Sequence, residues 1–202
     1  MLQGAALHEI LKILPLISAG GPWSRVVDYE WMKKPPPGES GPPQPLWPGG
    51  ASLTGARFTP RGQFGSIYFS EDPLTAQIEA EKYFKSSSGK LFPIKRAPWV
   101  NVTIEGALNR LLDLTDSSIR QRLGTSLAEL TGVWRLSEEP PPTQLLGAAA
   151  YASGRIAGMR YRSAKNQTDG DDGINFAVFP DRLSPDSHLS VYHGGSLSQR
   201  LP

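Results

Sequence analysis

Arg57, Tyr68 and Glu79 stand at successive intervals of eleven residues within GARFTPRGQFGSIYFSEDPLTAQIEAE, the stretch from Gly55 to Glu81. Each residue type suits one part of a single chemistry. A guanidinium grips phosphate through paired N–H donors. A tyrosine ring stacks on a flat heterocycle. A carboxylate stabilises positive charge developing on a ribose, or orients the group that attacks it. Taken singly, each has an ordinary reading as a surface pair, a half-buried strand tyrosine or a solvated helix glutamate. The equal intervals alone therefore carry no function. Glu79 differs in one respect: it adjoins Ile78, which helical periodicity buries, and so lies at the edge of an apolar stripe.

Other chemistries find less support in the residues. The histidines are His8, His188 and His193, with no helical pair, and there is no cysteine, so no metal site is expected. The same lack of cysteine excludes disulfides and thiol nucleophiles and suits a reducing compartment. The acidic run DGDDG (169–173) has Pro180 where a calcium loop needs its twelfth-position glutamate, and reads as a turn. Neither GxGxxG nor a P-loop occurs, so side chains must hold any nucleotide. The main rival site is Ser163-Ala164-Lys165, a serine that a nearby lysine would activate.

The 21 basic and 19 acidic residues give a net charge of +2 with no dense basic run, which argues against direct nucleic-acid binding. The N-terminal LQGAALHEILKILPLISAG lacks a basic start and is interrupted by His8, Glu9, Lys12 and Pro15, unlike a signal sequence. No run approaches the ~20 apolar residues that span a bilayer, and a cytoplasmic protein without a membrane partner is expected.

The elements that must position these side chains follow from periodicity and punctuation. At 202 residues the chain suits one domain. Leu7, Ile10, Leu11 and Leu14 predict a helix over 5–15. WSRVVD (23–28) reads as the first strand, with Arg25 on the face of Val27 and in need of a partner there. KPPPGESGPPQPLWPGG (34–50) is a long loop, either a lid over a cleft or an insertion without function.

A strand is expected at 54–59 and another at GSIYFS, followed by a helix capped by Asp72 with Pro73 in its first turn. That helix buries Leu74 and Ile78 and runs to about Lys85. Further expectations are a strand at 99–105, a helix from Asp116 through Leu123, a further turn at SLAEL and a small-residue helix in TQLLGAAAYASG. A strand pair follows in AGMRYRS and INFAVF, then a strand LSVYH before a loose end. Because turns join the neighbouring strands, the class is α+β with antiparallel sheets.

In their order along the chain, several of these segments resemble the RES-domain family, the toxin members of bacterial toxin–antitoxin pairs. The first is the opening stretch with Arg57, Tyr68 and Glu79, although Phe58 stands where the family commonly has Trp or Tyr. The second is WRLSEEPPPTQLLGAAAYASG, with Trp134, a Pro-Thr-Gln run and Gly147. The third is GMRYRSAKNQTDGDDGINFAVFPDRL, with Ser163 as the family serine and Asn175-Phe176 on the strand after it. Arg25 matches the arginine that often begins these domains, so the resemblance runs from about 23 to 183, with an unusually long Pro-rich segment between Arg25 and Arg57.

The resemblance implies an ADP-ribosyltransferase-like fold of two packed, mostly antiparallel sheets with flanking helices around an NAD cleft. It implies cleavage of NAD at the nicotinamide–ribose bond by phosphorolysis or hydrolysis, or else transfer of ADP-ribose to a protein. NAD is then a substrate, inorganic phosphate a candidate co-substrate, and no cofactor is tightly bound. A cognate Xre-type antitoxin is the implied partner. Glu79, Arg57, Tyr68 and Ser163 become the catalytic residues, and Arg25, Arg57, Tyr68 and Asn175 the NAD-binding ones. A non-catalytic module that binds a partner through the Pro-rich loop is the reading from another class.

Overall fold

Leu7 and Leu11 are buried on helix α1 (Gly4–Ile13), so the face read from their spacing is the face that packs. The structure, a computed structural model, describes residues 1–81, 83–85, 91–93, 98–134, 140–166, 173–193 and 195–202. Strand β1 (Ile17–Gly20) precedes β2 (Trp23–Asp28), which makes WSRVVD the second strand. ISAG has a single β-branched residue and gives almost no strand signal of its own. Its pairing with β6 (Trp99–Asp113) makes it a strand.

The expected strand at 54–59 is absent. Helix α2 (Gly49–Thr54) ends at Gly55, whose φ of 75° turns the chain out of the helix. Ala56 and Thr59 then exchange backbone hydrogen bonds of 2.8 and 3.1 Å, closing a tight turn with Arg57 and Phe58 at its corners. Strand β3 (Ile67–Ser70) leads into α3 (Pro73–Ala80), where the Asp72 side chain accepts from the Thr75 N–H at 2.8 Å as the sequence predicts.

Helix α3 stops at Ala80, short of Lys85, and short strands β4 (Tyr83–Lys85) and β5 (Leu91–Pro93) pair beyond it. Its buried face is Thr75 and Ala76, while Leu74 is 60% exposed. Apolar spacing misidentified this face because the residues turned toward the sheet strands that α3 contacts are the small Thr75 and Ala76.

Beyond β6 come α4 (Ser117–Arg122, capped by Asp116), α5 (Leu127–Thr131) and α6 (Pro142–Ala152). Strands β7 (Gly158–Arg162), β8 (Ile174–Val178) and β9 (His188–His193) match the expected ones. The expected loose end is instead β10 (Ser196–Leu201), an edge strand on β9. Most of the polar turn NQTDGDDG and part of the Trp134–Gly147 segment lie outside the described residues.

β6 organises the sheet. Its first half pairs with β2, its middle with β9, and its end with β1 on one side and, in parallel, with β7 on the other. β2 pairs with β3, β3 with β8 and β8 with β7, so the ladder returns to β6 and the sheet curls on itself. The expected α+β, mostly antiparallel organisation is present, its layers being parts of one sheet that share β6.

Two cores lie on opposite faces. One gathers Trp23, Val27, Ile67, Phe69, Ile104 and Phe176, with the Trp23 ring 5.3 Å from Phe69 and 5.6 Å from Phe176. The other packs Leu7, Leu11, Ile119 and Leu146 from the helices against Leu112, Met159 and Ala177. Along β8, Phe176 and Val178 enter the first core and Ala177 the second, as a period of two requires. Among the described residues, no helix is long and apolar enough to cross a membrane.

Candidate active site

Glu79 sits in the last turn of α3, half-buried, with its carboxylate fixed through one oxygen. Ser163 Oγ donates to Glu79 Oε1 at 2.6 Å and Asn175 Nδ2 donates to the same atom at 2.9 Å. Ser70 Oγ in turn donates to Asn175 Oδ1 at 2.6 Å, which fixes the amide so that its N–H₂ faces the carboxylate. No donor among the described residues reaches Oε2. Two side chains remote in sequence therefore hold one carboxylate oxygen, with Ser70 bracing one of them, and leave the other open.

The segment after β7 grips α3 at both ends. Asn166 Nδ2 donates to Thr75 Oγ1 at 2.8 Å beside the N-cap. Lys165 Nζ donates to the carbonyls of Ile78, Glu79 and Glu81 at 3.3, 2.8 and 2.7 Å, capping the C-terminal end. The Ser163-Ala164-Lys165 motif thus has a positional use. Lys165 meets Ser163 through its backbone N–H at 3.1 Å, and the serine directs its proton at Glu79. Ser163 is fully buried, behind Glu79.

Arg57 and Tyr68 are held through the turn at 56–59. Arg57 Nη1 donates to the carbonyls of Leu130 and Gly132 at 2.6 and 2.9 Å, tying the turn to the end of α5. The Tyr68 hydroxyl accepts from the Phe58 N–H at 3.0 Å and shares a 2.9 Å hydrogen bond with Thr59 Oγ1. Burial pushes the Tyr68 phenol up, against the hydrogen bonds from Thr59 and Phe58, so it stays protonated at neutral pH.

Helix α6 supports the same turn. Gln144 Nε2 donates to Ala56 O at 2.9 Å, and a Cβ at Gly147 would lie 1.8 Å from the Phe58 carbonyl oxygen. The Gln and Gly of the second sequence segment are thus the docking device for the loop that carries Arg57.

Arg25 falls between the core residues Trp23 and Val27 on β2, and its partner is a backbone carbonyl, that of Trp47, at 3.4 Å from Nη2. Nη1 is buried with no hydrogen bond, and burial brings the guanidinium down to about 10, still charged at neutral pH. The Pro-rich segment is neither lid nor floppy insertion. Leu46 and Trp47 are buried, the Leu46 N–H donates to Gln199 Oε1 at 2.7 Å, and none of 34–50 lines the cleft.

That cleft has a volume of about 750 Å³, and Arg25, Arg57, Tyr68, Glu79 and Asn175 all line it. Of the six residues singled out from sequence, Ser163 alone lies behind the wall. The floor also carries Ser24, Ser70 and Tyr161, which sequence reasoning missed. Ser24, Ser70, Asn175 and Tyr161 lie opposite one another across β2, β3, β8 and β7, making a buried polar row that lines the cleft. Only knowledge of the strand register would have found it, because the residues are scattered from 24 to 175. Gly132, Val133 and Trp134 form a further part of the wall beyond α5.

The fold and the cleft together define an α+β protein whose cleft brings an acid, two arginines and two tyrosines to one place. The chain belongs to the RES domain family, whose model matches residues 30–197. Arg25 precedes the matched segment. Compared by sequence with functionally curated proteins, the chain has no match. Its structure resembles a chain of the crystal structure of the M. tuberculosis MbcT–MbcA toxin–antitoxin complex, with a TM-score of 0.62 and 17% identity. The likeness covers 98% of this chain and 92% of that one, and at that identity it is the fold that is shared.

Proposed function

We propose that this protein is a bacterial toxin that cleaves NAD at the nicotinamide–ribose bond, depleting NAD by phosphorolysis or hydrolysis, and that a cognate Xre-type antitoxin restrains it. Family membership supports the toxin assignment, and the neighbour's toxin–antitoxin complex supports an antitoxin partner. The observation that carries the chemistry is Glu79, held by two donors on Oε1 with Oε2 open to a cleft that also contains two arginines.

Breaking the C1′–N bond sends its electron pair to the nicotinamide nitrogen and leaves an oxocarbenium-like ribose. Glu79 stabilises that charge and accepts from a ribose hydroxyl, while Ser163 and Asn175 stop the carboxylate from turning away. Arg25 and Arg57 hold the pyrophosphate, and Tyr68 stacks near the nicotinamide end. A phosphate or water oxygen then bonds to C1′, and attacking water gives up its proton to bulk solvent. Because the carboxylate is already held in place, it need not reorganise as the charge develops.

The acceptor is tested by resolving products with and without inorganic phosphate. Phosphate-dependent ADP-ribose-1-phosphate identifies a phosphorylase and free ADP-ribose a hydrolase, whereas ADP-ribosylated protein in place of both contradicts depletion.

Arg25→Met provides a second check. It removes a buried donor that has no partner, whose burial costs about 1–3 kcal/mol. The variant is expected to melt roughly 2–4 °C higher for each kcal/mol recovered, yet to bind NAD about tenfold more weakly through loss of a phosphate contact. Thermal melts and an NAD titration measure the two effects.

A further inference from the structure

Two tyrosines face the cleft, and their hydroxyls are in opposite situations. That of Tyr68 is occupied on the protein side, by the Phe58 N–H and by Thr59. What Tyr68 offers a ligand is its ring. That of Tyr161 makes no hydrogen bond with any described residue, and it is not among the sealed polar atoms that lack a partner. The small exposed part of Tyr161, 6% of the residue, therefore includes a hydroxyl that opens on the cleft.

The rest of Tyr161 is fixed. Its ring packs edge-on against Phe58, with centroids 4.8 Å apart. Its backbone pairs with Asn175 on β8, and residues directly opposite in an antiparallel ladder project from the same face. Asn175 bonds the Glu79 carboxylate. Tyr161 is thus set on the polar row opposite the residue that holds the acid, on a strand and without a loop's freedom.

We infer that Tyr161 is a further catalytic residue, its hydroxyl donating a hydrogen bond to the ribose of the substrate at the sugar that Glu79 holds. The inference rests on the NAD reading given above. The two groups are complementary, since an ionised carboxylate only accepts and a phenol can donate. A ribose hydroxyl that gives its proton to Glu79 still offers lone pairs for Tyr161 to fill. Burial, then the proximity of Tyr68 and of Glu79, push the Tyr161 phenol well above its usual range, so it remains a donor throughout the physiological span.

Tyr161→Phe deletes one oxygen that the protein itself does not use. The expected result, in a steady-state assay of NAD cleavage by the full chain, is a loss of about tenfold or more in kcat/KM, with an unchanged melting temperature. Wild-type cleavage of NAD together with a Tyr161→Phe rate within twofold of it would overturn this inference and leave the NAD reading standing. A fall in activity accompanied by a drop of several degrees in melting temperature would also overturn it, by showing the hydroxyl to be structural. Failure of the wild-type chain to cleave NAD would sink both.

Discussion

Replacing Glu79 with Gln is expected to lower kcat for NAD cleavage by about 10²-fold or more with little change in melting temperature. The substitution is nearly isosteric, and the amide oxygen it introduces still accepts from Ser163 and Asn175, as Oε1 of the acid does at 2.6 and 2.9 Å. What disappears is the negative charge at the oxygen facing the cleft. Charge stabilisation in a preorganised site acts on the transition state more than on bound substrate, so the loss falls on kcat and leaves KM nearly unchanged. Steady-state kinetics beside a thermal melt check both parts. Full turnover by a folded Glu79→Gln variant would falsify the assignment of this carboxylate.

A second large effect is expected far from any substrate atom. Gly147→Ala places a methyl 1.8 Å from the carbonyl oxygen and 2.6 Å from the carbonyl carbon of Phe58. Both neighbours are backbone, so no side-chain rotation relieves the clash. Overpacking of this kind costs about 3 kcal/mol, equivalent to a fall of roughly 6–12 °C in melting temperature for a chain of this size. The strain lands on the turn that carries Arg57, so NAD cleavage should also drop when assayed below the variant's transition. A melt and an assay at that lower temperature separate the two losses. A Gly147→Ala protein as stable as wild type would contradict the close packing of α6 on this turn.

How far the sequence reached is clearest at these same residues. Asp72 and Pro73 mark the start of α3 because capping is local chemistry, and the structure has that cap. The side of α3 that packs was misread, since Thr75 and Ala76 are buried by what lies against them while Leu74 projects outward. The strand expected at 54–59 fails for a related reason. Its composition permits extension, but Gly55 and the mutual hydrogen bonds of Ala56 and Thr59 fold it into a turn.

Arg25, Arg57, Tyr68, Glu79 and Asn175 were legible as site candidates and do line one cleft. Their individual connections were not legible. Glu79 is fixed by Ser163 and Asn175, respectively 84 and 96 positions away in sequence, and only the fold brings these together. Tyr161 went unnoticed because nothing local distinguishes it within MRYRS. It matters through its place opposite Asn175 in the sheet, which is a property of register.

Whether the cleft cleaves NAD is the central question. The most direct measurement is to incubate the purified full chain with NAD, inorganic phosphate being present, and to quantify free nicotinamide over time by chromatography. Nicotinamide released in step with NAD lost, together with an ADP-ribosyl product, is the expected result. NAD left intact by folded protein would contradict the proposed function.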